Sequence, residues 1–305
     1  MGYGLMAAAG WGAASVAAAY AARRMGTLAA LLASQVTGTI LLAALLAVMR
    51  PHLPALGNAV VLGLTGAGLL SLAGWLTYYR ALEHGPVGIV SGTAATYGGV
   101  TALLALLVLG EPLGRFGGIG GTLAVAGVAA AAMRAGGGAT DAPPRGRHRA
   151  PGGRARRWAR TRGRAWRGVI LALASAITYG TGAFWLGMYA AAAGWLVSAL
   201  TVYVVSVTLL LAALICKQER PRGGLGGLAW GVAAGVAEAA ALVAFARGGQ
   251  AGQVAVTAAV SSTYPVIPLV AGLVVFRERL SVLQVLGICV AVTGLTLVSM
   301  APQPA

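Results

Sequence analysis

Charged residues are scarce in this chain, and most of those present are basic. They make up 9% of the 305 residues, against about 25% in an ordinary soluble domain, so a water-facing surface cannot be built from them. Acidic residues number 6 against 22 basic ones, and Lys217 is the only lysine. Because Cys216 precedes that lysine, a phosphate-binding loop ending in Gly-Lys-Ser/Thr is excluded.

Cysteine and histidine are also scarce, which narrows the possible chemistry. Cys216 and Cys289 lie in apolar runs, so a disulfide framework and a four-ligand zinc site are excluded. The three histidines have no metal-like spacing, and no Ser-His-Asp or paired-carboxylate pattern is present. We therefore predict no enzyme activity, no metal and no cofactor. Nucleic acid is excluded as a partner because no groove-reading element accompanies the basic residues.

Apolar residues are abundant, at 58% of the chain, with 47 glycines in addition. A bilayer core requires roughly 20 predominantly apolar residues per helix. Ten runs approach that length, near 3–22, 27–48, 57–79, 87–109, 115–133, 168–190, 195–216, 225–246, 253–275 and 281–300. The sequence therefore predicts an all-α polytopic membrane protein with ten transmembrane helices. The preference for arginine over lysine indicates a GC-rich bacterial genome, so we expect a bacterial plasma membrane.

One polar segment divides the chain into residues 1–134, an Arg-rich linker at 135–167, and residues 168–305. Residues 134–167 hold 11 of the 22 basic residues. A solvated linker is one interpretation. The alternative is contact with anionic lipid headgroups, where each basic residue contributes on the order of 1 kcal/mol, and Trp158 and Trp166 suit that interface.

The two halves resemble each other. An offset of 167 residues places Tyr97 on Tyr264, Glu111 on Glu278 and Arg80 on Arg247, with 13 identities over the 51 positions 78–128. With one further residue of slip, Gly26 meets Gly194. Because each repeat contains five helices, the second copy enters the membrane from the opposite side. Two inverted repeats around a midplane site are typical of secondary transporters that work by alternating access.

Particular motifs support this interpretation. The run Thr263-Tyr264-Pro265-Val266, followed by Glu278-Arg279-Leu280, resembles the hallmark of EamA-type members of the drug/metabolite transporter superfamily. The first half carries a weaker version at Thr96-Tyr97 and Glu111-Pro112-Leu113. The resemblance covers almost the whole chain outside the linker. It implies an exporter of amino acids, drugs or other small metabolites. We expect the protein to be a monomer or a homodimer.

Glu238 is the one acidic residue deep inside a predicted span, near the middle of the eighth. An ionised side chain at the bilayer centre costs at least about 2.5 kcal/mol, so such residues usually face a cavity and have a function. Glu238 is therefore our proton-coupling candidate. The alternative is a protonated glutamate that hydrogen-bonds a neighbouring helix.

Polar and aromatic residues within the other spans are candidates for substrate binding in a central cavity. The repeat pairs Trp11 with Tyr179, Gln35 with Tyr203, and Tyr97 with Tyr264, and helix 3 carries a stripe that includes Ser71, Trp75 and Tyr78. Aromatic side chains suit organic substrates and can hold an amine by cation–π contact. Helix-interface packing is the alternative for each. The candidates are Trp11, Gln35, Ser71, Tyr78, Tyr97, Tyr179, Tyr203, Ser262 and Tyr264.

Glu111 and Glu278 precede predicted helices, where a carboxylate favours the N-terminal dipole, so we interpret them as structural caps. A flippase for a lipid-linked carrier and a non-transporting membrane scaffold remain as alternative functions. A lateral opening between helices would favour the flippase, and a packed bundle without a midplane cavity would favour the scaffold.

Two arguments about orientation disagree. The family resemblance implies both termini in the cytoplasm, which places the linker outside. The basic residues favour the linker inside, because 19 of them then lie on the cytoplasmic side and 3 outside, and short basic loops stay cytoplasmic.

Overall fold

The structure is a computed structural model, and every element in the part of the chain that it describes is helical. The described residues are 2–50, 56–109, 119–120, 122–123, 126–127, 130, 151–217, 224–250, 261, 263–277 and 281–299. The first half contains α1 (Gly2–Met25), α2 (Thr27–Met49), α3 (Asn58–His84), α4 (Val87–Ala94) and α5 (Tyr97–Leu109). The second half contains α6 (Pro151–Ala193), α7 (Trp195–Lys217), α8 (Gly224–Gln250), α9 (Val266–Val274) and α10 (Val282–Ser299).

Six of these helices are long and apolar enough to cross a membrane. They are α1, α2, α3, the Trp166–Tyr189 part of α6, and most of α7 and α8. Their apolar stretches are 22 to 27 residues long, close to the 20 or so that a bilayer core requires. A shorter apolar stretch, Val285–Gly294, lies within α10. The predicted all-α membrane architecture is confirmed.

The inverted repeat is visible in the turns that join successive helices. Gly26 separates α1 from α2 by one residue, and Gly194 separates α6 from α7 in the same way. Their φ angles are 83° and 78°, a left-handed region that glycine enters without a Cβ clash. Each carbonyl accepts a hydrogen bond from the amide four residues later, at 3.1 Å in both turns.

The helix packing repeats as well. The two most extensive interfaces join α3 to α6 and α1 to α8. Because the repeat relates α1 to α6 and α3 to α8, these two interfaces are equivalent. In one, the α3 backbone at Gly74 lies so close to Tyr179 that a Cβ would be 2.7 Å from the tyrosine Cβ. In the other, a Cβ on Gly10 would be 2.7 Å from the Cβ of Ala241, the residue to which the 167-residue offset moves Gly74. Small residues allow this close approach of helices in a membrane.

Two sequence boundaries require correction. The predicted fourth span, 87–109, is two helices, because a tight turn at Ala95–Thr96 interrupts it. There the Thr96 amide and hydroxyl both bond the Thr93 carbonyl, at 3.2 and 2.7 Å. The second part of the predicted linker, 151–167, is helical and forms the first part of α6. Most of the predicted fifth span lies outside the described residues, although Gly127 is helical and packs against the α10 backbone.

The main apolar core lies at one end of the bundle. We call this the linker end, because α1 and α3 end there and the apolar part of α6 begins there. The backbones of Gly85 and Gly168 are in close contact at this end. The core is formed by small residues of α1 and α2 together with Leu72, Tyr79 and Leu82 of α3. Arg23 closes the same end by donating to the carbonyls of Leu82 and Gly85, at 3.1 and 3.0 Å. Its guanidinium lies 4.6 Å from the centre of the Phe276 ring, so one side chain connects both halves.

Candidate functional site

A cavity lies in the middle of the bundle, where residues of both halves meet. It is associated with about 630 Å³ of empty space, a volume that includes space open to solvent. Its aromatic lining comes mostly from the first half, with Trp11, Trp75, Tyr78, Tyr79 and Tyr97, while the second half adds Tyr179 and Tyr264. The turn that interrupts the fourth span sets Tyr97 at the start of α5.

The aromatic side chains form a nearly continuous wall. The rings of Tyr97 and Tyr179 meet edge to face with centroids 4.9 Å apart, and Trp75 contacts Tyr179 at 5.5 Å in the same geometry. Trp11 lies 6.4 Å from Tyr264, again edge to face. Aromatic pairs in this geometry stabilise one another by about 0.5–1.5 kcal/mol beyond their burial. The wall is therefore held in shape by its own contacts.

Glu238 is the only charged side chain among the described residues that line the cavity. It is 5% exposed, and Ser34 on α2 donates a hydrogen bond to its Oε2 at 3.4 Å. The hydroxyl of Tyr203 on α7 is a second hydrogen-bond partner of the carboxylate. Glycine at 235, one turn earlier on α8, lets the helix approach the α2 backbone at Ser34. The carboxylate is thus supported from behind by α2 and α7, and it borders the cavity in front.

Several hydroxyl groups near the cavity are occupied by protein partners. The Tyr78 hydroxyl bonds Ser15 on α1 at 2.9 Å and Ser91 on α4 at 3.0 Å. Ser15 itself donates to the Trp11 carbonyl at 2.9 Å, and Ser175 of α6 donates to the Gly74 carbonyl at 2.9 Å. These bonds tie α1, α3, α4 and α6 together.

The sequence candidates divide into three groups. Six of them line the cavity: Trp11, Tyr78, Tyr97, Tyr179, Glu238 and Tyr264. Ser262, Glu111 and Glu278 lie outside the described residues, so their predicted roles stay predictions.

The remaining three, Gln35, Ser71 and Tyr203, are not among the described residues that line the cavity, so their predicted roles stay predictions. They are buried, with 1%, 3% and 5% of their surfaces exposed. Ser71 packs against Gly182 of α6, where a Cβ would be 2.9 Å from the serine Oγ. Tyr203 lies over Gly38 of α2 and turns its hydroxyl to Glu238. The amide of Gln35 has no hydrogen-bond partner among the described residues. Helix register alone does not separate the face toward the cavity from the face toward a neighbouring helix.

The structure adds lining residues that were not among the candidates. Trp75 and Tyr79 of α3, Ser15 of α1 and Ser175 of α6 all border the cavity. The signal for Trp75 is present in the sequence, because it lies four residues after Ser71 and three before Tyr78 in the helix-3 stripe. Ser15 and Ser175 are single small hydroxyls within apolar runs, and only their three-dimensional contacts mark them.

The repeat relates α3 to α8, and the two helices give the cavity different chemistry. The 167-residue offset places Ser71 on Glu238, Trp75 on Leu242 and Tyr78 on Phe245. At these positions α3 therefore contributes an indole and a tyrosine hydroxyl to the cavity, and α8 contributes a carboxylate. The cavity is asymmetric although the scaffold is symmetric.

Comparison with known proteins decides the family. The model of the EamA-like transporter family matches residues 1–133 and 166–300. The chain belongs to the EamA-like transporter family. The two matched segments are the two five-helix halves, and the gap between them falls on the Arg-rich segment. Membership in this family identifies a secondary membrane transporter rather than an enzyme, and a multi-pass membrane protein that acts on a small molecule.

Other comparisons are less specific than the EamA-like match. A solved structure described as "Crystal structure of protein" is similar, with a TM-score of 0.61 and 16% identity. The similarity covers 97% of this chain and 94% of that one. At this identity it supports the fold alone. No curated protein sequence matches the chain.

Proposed function

We propose that the protein exports small organic metabolites, amino acids or drugs across a bacterial plasma membrane by alternating access. The observation that carries this proposal is the cavity between the two inverted halves, lined by α1, α3, α4 and α5 from one and α6 and α8 from the other. Rocking of one half against the other would open such a site to each side in turn. Of the two remaining alternatives, the scaffold loses support because it predicts a bundle without a midplane cavity.

We further propose that transport is coupled to protons through Glu238. A carboxyl group buried in a membrane protein is retained where it does work, and this one borders the cavity while Ser34 and Tyr203 hold it from behind. Substrate and proton can therefore reach the same group from the same space.

The test uses the purified chain in lipid vesicles. A metabolite panel is first screened by thermal stabilisation, and the flux of each hit is then followed with and without an imposed proton gradient. The gradient is expected to accelerate flux, and Glu238→Gln is expected to abolish the acceleration. Gradient-driven flux that persists in Glu238→Gln would remove the proton assignment, and no flux for any bound compound would remove the transporter assignment.

The Arg-rich segment is proposed to lie on the cytoplasmic side and to contact anionic lipids. Among the described residues, Arg23, Arg24 and Arg277 lie at the linker end with it, while Arg50 and Arg247 lie at the other end. Basic residues near a membrane surface favour the cytoplasmic leaflet.

Cysteine labelling tests this orientation. Cys216 and Cys289 are exposed, so both are first replaced by serine. Ala155→Cys then reports on the linker end, and Gly57→Cys, at the start of α3, reports on the other end. On intact cells an impermeant thiol reagent should label Gly57→Cys and spare Ala155→Cys. The reverse pattern would place the linker outside.

A further inference from the structure

We infer that the ligand of this cavity is a small organic monocation with an apolar or aromatic body, whose positive centre lies beside Glu238. This inference deepens the proposed transport function and rests on it. It concerns the class of substrate, which family membership leaves open.

The charge of the lining selects the sign of the ligand. Glu238 is the one charged side chain that the described residues contribute to the cavity wall. In the low dielectric of a membrane interior, an ionised carboxylate attracts a monocation much more strongly than it would in water. It repels an anion by a comparable amount. An anionic substrate would require a basic side chain to offset this repulsion, and the described part of the lining contains no arginine, lysine or histidine.

The aromatic wall suits the same kind of ligand. Trp75 lies at the centre of the wall, with Tyr78, Tyr79 and Tyr179 around it at ring-centroid distances of 5.5 to 6.2 Å. Indole and phenol faces attract cations, by about 2 kcal/mol when the contact is desolvated. They also cover an apolar body.

Three hydroxyls of the lining are not free to bind a polyhydroxylated ligand. A sugar requires many donors and acceptors to replace its water. Here the hydroxyls of Ser15, Tyr78 and Ser175 already bond protein groups at 2.9–3.0 Å. Breaking such bonds would leave buried polar groups unsatisfied, which is unfavourable. A ligand that needs one charged contact and an apolar surface avoids that cost.

The test compares three probes of matched shape, all para isomers: the N-methylphenylpyridinium cation, neutral phenylpyridine and the phenylbenzoate anion. Binding to the purified protein in a non-ionic detergent is measured by calorimetry at neutral pH. The cation should bind about thirtyfold more tightly than the neutral probe, since one desolvated cation–π contact of about 2 kcal/mol corresponds to about that factor. Equal or tighter binding of the anion would overturn the inference.

Variants assign the charge to its residue. Glu238→Gln should weaken cation binding by about tenfold or more and leave phenylpyridine binding unchanged, while Glu238→Asp keeps the charge and most of the affinity. Glu83→Gln is the matched control, because Glu83 lies at the end of α3 and accepts a hydrogen bond from Thr27 at 2.8 Å, away from the cavity. Cation affinity that is equal in wild type and Glu238→Gln would overturn the inference, whether or not Glu238→Asp folds.

Vesicle flux separates this inference from the proposed function. A cation that binds through Glu238 but never crosses the membrane would support the ligand class and contradict the transport proposal. Flux of a neutral or anionic compound through a chain that does not bind the cation would support transport and overturn the ligand class.

Discussion

Helices α3 and α8 occupy equivalent places in the two halves, yet they differ in what they present to the cavity. Both use a small residue to pack closely against a partner helix, Gly74 against α6 and its counterpart Ala241 against α1. At the next position along the helix, α3 carries Trp75 where α8 carries Leu242. The face that holds the repeat together is shared, and the face toward the cavity has diverged.

The space around the two equivalent positions differs as well. Ser71 is tightly packed against Gly182 of α6. Glu238 borders the open cavity and has hydroxyl partners on two other helices. A carboxylate therefore fits at only one of the two equivalent sites, which explains how a symmetric scaffold contains an asymmetric site.

The strongest way to break this comparison is to move the carboxylate to the other half. In the double variant Ser71→Glu, Glu238→Ser, the new side chain has neither room nor hydroxyl partners, and breaking a buried arrangement in this way costs about 3 kcal/mol or more. We expect no proton-driven flux in vesicles and an unfolding temperature below that of Glu238→Ser alone. Recovery of proton-driven flux would show that the two positions are interchangeable.

The next largest effect is expected from the shared packing face. Gly74→Leu places its Cβ 2.7 Å from the Cβ of Tyr179 and 3.0 Å from its backbone, and overpacking of this kind costs about 1–3 kcal/mol. The unfolding temperature in detergent should fall clearly. Gly99→Leu is the control, since nothing lies within 4 Å of a Cβ at that glycine. Equal melting of the two variants would refute the close-packing argument.

The aromatic difference between α3 and α8 predicts a smaller, functional effect. Trp75→Leu converts the first half to the residue found at position 242 and removes three edge-to-face contacts. We expect the affinity for an aromatic cation to fall by about thirtyfold, from the loss of one desolvated cation–π contact. Trp230→Leu is the matched control, because that indole stacks on Tyr20 outside the cavity lining. A larger loss of affinity in the control would show that the ligand does not bind beside Trp75.

The smallest of the four effects concerns the ends of the two helices. The end of α3 is tied by Arg23, and an offset of 167 or 168 residues places alanine at the corresponding position of the second half. Arg23→Gln removes the two hydrogen bonds to Leu82 and Gly85 and the cation–π contact with Phe276, each worth about 1 kcal/mol. Hydrogen exchange of the amides in 80–90 should accelerate, while exchange near Gln250 should not change. An equal change in the exchange rate at both ends would contradict the conclusion that Arg23 stabilises the end of α3 locally.

The sequence was sufficient for the ten apolar runs and for the repeat, because hydrophobic length and an offset of 167 residues are both linear properties. It also singled out Glu238, since a lone acid within an apolar run is conspicuous without coordinates. It did not separate Tyr78, which lines the cavity, from Ser71, two turns earlier and packed on α6. That distinction depends on which neighbour covers each side of a helix, and only the packing of α3 against α6 decides it. The break at Ala95–Thr96 was also not foreseen, because no proline marks it.

Helix α6 runs for 43 residues from Pro151 to Ala193, a rod of about 64 Å at 1.5 Å per residue. Its apolar part begins at Trp166, so about 22 Å of stiff helix extends beyond the hydrocarbon region. A tilt of about 10° during a transport cycle would sweep the free tip through about 4 Å. The segment is thus placed as a lever arm on α6: if it binds anionic lipid, as proposed above, the bound lipid would resist the tilt, and the charge of the membrane surface would act as a mechanical load on the transport cycle.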